Sequence, residues 1–403
     1  MAVAGTGAFG RNHLRVYREL ELAGAGIELA AAIEPDPGRA AETEAQYGIP
    51  VFASVEELLR ADLCLGAASV AVPTVHHHAV AAALMDAGLD VLVEKPIAAT
   101  LADADDLVQR ADQSGRILQV GHLERFNPAV LAIQPRLKRP MFFEAHRLSV
   151  FTPRSLDVDV VLDLMIHDLD IVLTFAASPV REVRAVGLPI LSPKVDIANV
   201  RVEFESGCVA NFTASRVSTE RVRKLRFFEP RQYVSIDYAR RDVVIIRIDD
   251  QPAAGVSPQL AAAAAEFLST GRLEPAVIQQ LLASGQIPAA LLAQIMSARS
   301  DPGKLADLAR SFAPPDAASS SGPATGPASA PAPGLSFVKP EVTPGEPLRL
   351  EIESFLASVR TRREPRVTAR QGRAALALAL EIQDTMAAHA HRAGLGDFFE
   401  GGA

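Results

Sequence analysis

Cysteine is nearly absent from this 403-residue chain: Cys64 and Cys208 are its only two. Two cysteines build neither a disulfide framework nor a thiolate metal quartet, and their scarcity fits a reducing cytoplasm. Positive charge is not in excess either. Lys and Arg number 40 against 48 Asp and Glu, a formal charge of -8. An acidic chain without a broad basic face is a poor general nucleic-acid binder, although one local pocket can still hold an anionic small molecule. No apolar run approaches the ~18 residues of a membrane span, so no membrane partner is expected. The N-terminus lacks a charged segment followed by an apolar one, so no signal peptide is expected. What remains is a soluble globular balance, with 49% hydrophobic and 22% charged residues, in a chain long enough for two domains.

Two regions differ in rhythm. Up to about residue 120, short apolar runs (Met1–Ala4, Leu29–Ile33, Ser69–Val72, Val91–Val93, Ile117–Val120) alternate with helical patterns such as His13–Leu22 and Ala79–Ala87. That alternation predicts an α/β domain with a doubly wound parallel sheet. The first run opens at Met1 and is short, as though the chain began a few residues late. From 140 to 250 the pattern changes to strands joined by tight turns, with Glu205-Ser206-Gly207 as a hairpin signal and a helix near Val161–Phe175. This predicts an α+β domain with a large, mostly antiparallel open sheet. Residues 256–312 are rich in Ala, Leu and Gln. Residues 313–334 hold seven Ala, six Pro, four Ser and three Gly, a composition that reads as a linker. The expected division is 1–121, 122–255, an insertion and linker at 256–334, and C-terminal helices within 335–403 that pack back on the body. Leu348–Arg360 and Gly372–His389 carry the helical patterns.

Gly5-Thr6-Gly7-Ala8-Phe9-Gly10 sits directly between an apolar strand and a helical pattern. In that context G-x-G-x-x-G is a pyrophosphate cradle. The first Gly permits the turn, the second admits the ligand, and the third lets helix and strand pack closely. The helix N-terminus then faces the phosphates. Glu34 ends the second strand and is placed to accept hydrogen bonds from the adenosine ribose hydroxyls, which favours NAD over a 2′-phosphorylated cofactor. Phe9 belongs to the same cradle.

Two further clusters carry chemistry. Val91-Leu92-Val93-Glu94-Lys95-Pro96 brings Lys95 to the C-terminal edge of the sheet, where ligands bind in such folds. A Lys there either hydrogen-bonds a substrate hydroxyl or simply extends from a strand end into solvent. Asp163 and His167 are four residues apart on a helical pattern, so they share a face. A carboxylate beside an imidazole can orient it as a general base; the alternative is a local Asp–His pair without chemistry. Asp163, Asp168 and Asp170 with one His make a weak metal signature, and no metal is expected.

Taken together, Gly5–Gly10, Pro73-Thr74-Val75-His76-His77, Glu94-Lys95-Pro96 and Asp163-x-x-x-His167-Asp168 resemble the Gfo/Idh/MocA family of NAD(P)-dependent sugar and polyol oxidoreductases. The resemblance implies a Rossmann domain that binds NAD and a second, open-sheet domain. It implies Lys95, Asp163 and His167 as catalytic residues, with His167 accepting the proton. Pro73, Thr74 and His77 are implied beside the cofactor, with Thr74 where the family commonly has Asn. His77 has an equally good reading as a structural cap of the following helix. Glu94 is implied near the nicotinamide ribose.

The stretches Val120–Pro128, His146–Ser149, Phe151–Val160 and Thr213–Ser218 look like the branch that oxidises the 3-hydroxyl of UDP-N-acetylglucosamine. The 3-keto product of that branch passes to a pyridoxal-phosphate aminotransferase and on to a 2,3-diamino sugar for lipid A. A nucleotide-sugar diphosphate needs cations, and Arg125, Arg154 and Arg216 are the candidates. Asn127 is a candidate for the acetamido group or a hydroxyl, and Phe126 for an apolar wall, although an aromatic there is more often core. Arg221, Arg223, Lys224 and Arg226 read first as a sheet edge protected by charge. A free polyol or another sugar is the alternative substrate, and a catalytically silent NAD-binding regulator is the alternative class. A homodimer or homotetramer is expected from the exposed face of an open sheet.

Overall fold

The computed structural model describes residues 1–152, 158–249 and 334–395. Residues 1–230, 235–243 and 340–403 form one compact unit, and 231–234 with 244–339 form a second. The expected insertion and linker, residues 256–312 and 313–333, lie outside the described residues, as does Arg154.

The first unit opens on a six-stranded sheet: β1 (Ala2–Ala4), β2 (Ala31–Ile33), β3 (Val51–Phe52), β4 (Ala67–Val70), β5 (Asp90–Glu94) and β6 (Leu118–Gly121). Its order is β3-β2-β1-β4-β5-β6, and every neighbouring pair is parallel. β1, β4, β5 and β6 are buried along their whole length. Helices cover both faces of such a sheet, which is why the strands read as continuous short apolar runs. The order reverses between β1 and β4, which opens a crevice at the strands' C-terminal ends. The helices are α1 (Ala8–Leu22), α2 (Pro37–Tyr47), α3 (Val55–Arg60), α4 (His77–Asp86) and α5 (Leu101–Ser114). Asp36, Ser54 and Thr100 cap α2, α3 and α5 through their side chains.

After α6 (Pro128–Ile133) the second sheet begins with β7 (Phe142–Leu148). A helical segment follows. It starts as a π turn at Val161–Met165 and continues as α7 (Ile166–Ala176). Then come β8 (Val180–Leu188), β9 (Ile197–Phe204), β10 (Val209–Ser215) and β11 (Val222–Glu229). These strands run in the order β11-β7-β10-β9-β8, antiparallel except for β7 with β10. Gly207, at a φ of +83°, makes the turn between β9 and β10. The inner face is apolar, with Phe143, Phe212 and Phe227 buried in it, and Phe175 of α7 packs edge-on to Phe227. β12 (Gln232–Asp237) and β13 (Asp242–Asp249) cross the boundary between the units. In the second unit β13 pairs antiparallel with β14 (Gly334–Val338), with Ile245 opposite Val338.

Two C-terminal helices complete the first unit. α8 (Pro347–Thr361) packs on α1, and α9 (Ala369–Arg392) packs on β8, α7 and α5. A capping box between Thr368 and Gln371 starts α9. Gly372 lets this helix lie directly on β6, because a Cβ there would come within 2.6 Å of the Val120 side chain. Gly372→Ala should therefore destabilise the protein by about 1–3 kcal/mol through overpacking, read as a lower midpoint in urea unfolding.

Candidate active site

The glycine turn has a different reason for each glycine. Gly5 has a φ of +86°, and a Cβ on it would lie 2.7 Å from the Ala71 carbonyl oxygen. A Cβ on Gly10 would collide with the Gly5 carbonyl at 1.8 Å, so α1 can start only on a bare backbone. Gly7 meets nothing within 4 Å. The middle glycine thus faces open space at an α1 N-terminus that has no side-chain cap, and Phe9 beside it is 51% exposed. A pyrophosphate fits this cradle, and Gly5, Gly7, Phe9 and Gly10 would hold it.

Glu34 lies at the end of β2. Its Oε2 accepts from the Thr6 N–H (3.0 Å) and hydroxyl (2.9 Å), and its Oε1 from the Asp36 N–H (3.0 Å) and the Arg39 guanidinium (2.7 Å). Burial alone would raise this carboxyl, but Arg39 and the Asp36 and Thr6 donors outweigh it and bring it down to about 2. A carboxylate has about four acceptor positions, and protein donors fill them all. The expected ribose hydrogen bonds are therefore not free in this arrangement. Glu34 clamps the glycine turn through Thr6.

Lys95 follows β5, and its ammonium crosses to the π turn, donating to the Asp163 carbonyl (2.8 Å) and the Leu162 carbonyl (3.3 Å). A π turn spaces its hydrogen bonds at i→i+5, and such turns recur at functional sites. Burial lowers the Lys95 pKa; the Asp163 and Glu94 charges pull the other way. His167 stands one turn further along α7. Its Nδ1 is buried without a partner. Burial, followed by the charges of Lys95, Arg147, His122 and Arg223, pushes this imidazole well below the usual histidine range. It is neutral at neutral pH and able to take a proton. The expected Asp163–His167 hydrogen bond is not among the bonds of the described residues. The Asp163 charge acts on Lys95.

Several expected ligands prove to be internal. Arg125 is 3% exposed, donates to Thr174, the Arg366 carbonyl and Gln371, and lies 3.5 Å from Asp170. It locks the turn after β6 to α7 and α9, and its guanidinium is engaged within the protein. Asn127 caps α6 through the Ala129 N–H (3.1 Å) and donates to Glu124 (3.0 Å) and the Tyr238 carbonyl (3.1 Å). Phe126 is buried under the Arg366 guanidinium. Arg216 is buried between Asp196 and the Val158 carbonyl. His77 is also buried, with Nδ1 2.8 Å from the Pro96 carbonyl and Nε2 2.9 Å from that of Val72, so it ties the β4 turn to the Lys95 loop instead of facing a cofactor. Pro73 and Thr74 start the exposed turn before it. Glu94 turns inward: its Oε1 meets His13 Nε2 at 2.9 Å, and its Oε2 takes the Lys95 N–H at 3.3 Å.

One functional network escaped the sequence. Arg147, buried on β7, makes a two-pronged contact with Asp168 (2.7 and 3.0 Å), a third bond to Glu124 (3.1 Å), and lies over the Tyr238 ring. Strand alternation, which puts Arg147 on the same face as Phe143 and Ala145, was the available signal. Asp168 adjoins His167, so this pair fixes the rotation of α7 beside the base.

Residues 1–122 match the oxidoreductase family with an NAD-binding Rossmann fold, and residues 131–231 match the GFO/IDH/MocA C-terminal domain. This chain belongs to the Gfo/Idh/MocA family. It is a dehydrogenase, and its cofactor is NAD. Over 237 residues it is 38% identical to a UDP-N-acetylglucosamine 3-dehydrogenase of Acidithiobacillus ferrooxidans, spanning 59% of this chain and 73% of that one. It is 25% identical to a scyllo-inositol 2-dehydrogenase (NAD(+)) of Bacillus subtilis over 232 residues, 54% of this chain and 67% of that one. A solved structure of the Acidithiobacillus ferrooxidans UDP-N-acetylglucosamine 3-dehydrogenase superposes with a TM-score of 0.71 at 28% identity, covering 96% of this chain and 97% of that one. Among the described residues no helix is long and apolar enough to cross a membrane.

Glu34→Gln keeps a hydrogen-bonding side chain but removes the charge and releases Arg39. The preference for NAD over NADP, measured as a ratio of kcat/KM, should fall by at least about tenfold, the ~1.4 kcal/mol that a single like-charge repulsion readily exceeds.

Proposed function

We propose that this dehydrogenase oxidises the 3-hydroxyl of UDP-N-acetylglucosamine to the 3-keto sugar. The observation that carries the reading is the 38% identity to a UDP-N-acetylglucosamine 3-dehydrogenase across 73% of that protein. The site chemistry supports it, since His167 is a neutral base set among the cations Lys95, Arg147 and Arg223, an environment that suits an anionic substrate.

NAD, when bound, supplies the hydride acceptor. The residues of the chain do the rest. His167 accepts the proton of the hydroxyl being oxidised. Lys95, held at a fixed place by the π-turn carbonyls, donates a hydrogen bond to the same oxygen and stabilises its developing negative charge. The Asp163 charge favours the ammonium form of Lys95. Glu94 holds α1 against the end of β5 through His13, which fixes the cradle relative to Lys95. A 3-keto sugar beside an acetamido carbon is a substrate for transamination, which is the place of an aminotransferase in a route to 2,3-diamino sugars. Cytoplasmic location and assembly as a homodimer or homotetramer belong to the same proposal.

With NAD and enzyme at substrate-like concentration, UDP-N-acetylglucosamine should raise NADH absorbance and scyllo-inositol should not. Lys95→Ala should cut turnover by about a hundredfold or more, the usual scale for a lost acid–base or oxyanion donor. The acid limb of kcat/KM should lie below the ordinary histidine range, because activity is lost only as pH falls through the depressed His167 pKa. Turnover of inositol in place of the nucleotide sugar, or near-normal turnover by Lys95→Ala, would contradict the reading.

A further inference from the structure

β11 and β7 pair antiparallel, with Arg223 directly opposite Arg147 and Lys224 opposite His146. Residues that face each other across a ladder point to the same side of the sheet, and successive residues alternate sides. Arg147 is on the inner side, where it holds Asp168 of α7. Arg223 is therefore on the inner side too, in line with the buried Leu225 and Phe227. Lys224 and Arg226 fall on the outer side, where Arg226 approaches Glu144 at 3.8 Å. Alternation splits the basic cluster in two, and only one half faces the site.

Arg223 differs from the other inner-face cation. Arg147 is saturated by Asp168, Glu124 and Tyr238. Arg223 reaches solvent, though neighbouring protein still desolvates part of its guanidinium, and its side chain has no hydrogen bond or ion pair among the described residues. Its surroundings oppose its charge, first by burial and then through Arg147, although Glu124 and Asp168 offset part of this. Both carboxylates are already spent on Arg147. A guanidinium is thus kept within the field of His167 against the repulsion of a second guanidinium, with no anion of its own among the described residues. Arg125 and Arg216 are buried and engaged, so neither fills the need of a nucleotide-sugar diphosphate.

We infer that Arg223 is a substrate-binding residue whose fork takes the anionic diphosphate of the sugar nucleotide at the inner mouth of the β7–β11 pair. This rests on the UDP-sugar reading above and deepens it. A guanidinium matches two phosphate oxygens at once, which an ammonium does not.

The test is calorimetric titration of the NAD-loaded full chain with UDP, together with steady-state kinetics on UDP-N-acetylglucosamine. Arg223→Gln should weaken UDP binding and raise KM by about tenfold to a hundredfold, the scale of a charge-assisted bond, with the loss falling on KM more than on kcat. Arg223→Lys should recover part of the loss. Lys224→Gln removes the same charge one residue away on the outer face and should change neither quantity. Wild-type UDP affinity in Arg223→Gln overturns the inference and leaves the UDP-sugar reading intact, as does an equal loss in Lys224→Gln, which would mark a diffuse field. Failure of the wild-type protein to bind UDP overturns both.

Discussion

The Lys95 ammonium, donating to the carbonyls of Leu162 and Asp163, is the contact through which the two sheets share one site. Its stem leaves the end of β5, where the parallel sheet places every ligand-facing group. Its acceptors belong to the helix that packs on the open sheet. Both carbonyls lie in the π turn at Val161–Met165, and a carbonyl oxygen has a second lone pair that can take the ammonium.

Around that contact the buried cations and carboxylates are interleaved. Arg147 is buried yet fully partnered, an arrangement whose loss on one side typically costs about 3–5 kcal/mol because the other charge is stranded. Its partners Asp168 and Glu124 neutralise it locally, while the His167 pKa is lowered first by burial and then by the charges of Lys95 and Arg147, leaving the imidazole neutral. A general base needs that state, and an anionic substrate benefits from the same field. On the proposed reading, the requirements of catalysis and of recognition are met by one set of charges.

Local features were legible in the sequence. Gly5, Gly7 and Gly10 announce the cradle because a tight turn, an open approach and a close crossing each forbid a Cβ at a defined spacing. Lys95 is legible because a strand end in a parallel sheet has a known orientation. The long-range features were not. Arg125, Asn127 and Arg216 have the right chemistry for a sugar nucleotide, but residue type states what a side chain can bind and not which partner reaches it first; Asp170, Glu124 and Asp196 do. Asp163 and His167 stand four residues apart, but no hydrogen bond joins them among the described residues, and the Asp163 charge acts on Lys95. Arg223 is the converse case. Its neighbours in sequence suggested a protected edge, and only the register with Arg147 separates it from Lys224 and Arg226.

The most direct measurement follows the hydrogen itself. UDP-N-acetylglucosamine deuterated at C3 is incubated with the enzyme and NAD, and the reduced cofactor is analysed by mass. If Lys95 and His167 act on the 3-hydroxyl, the deuterium appears in the reduced nicotinamide and the mass rises by one unit. Unlabelled NADH formed from that substrate would show that oxidation occurs at another carbon and would contradict the account.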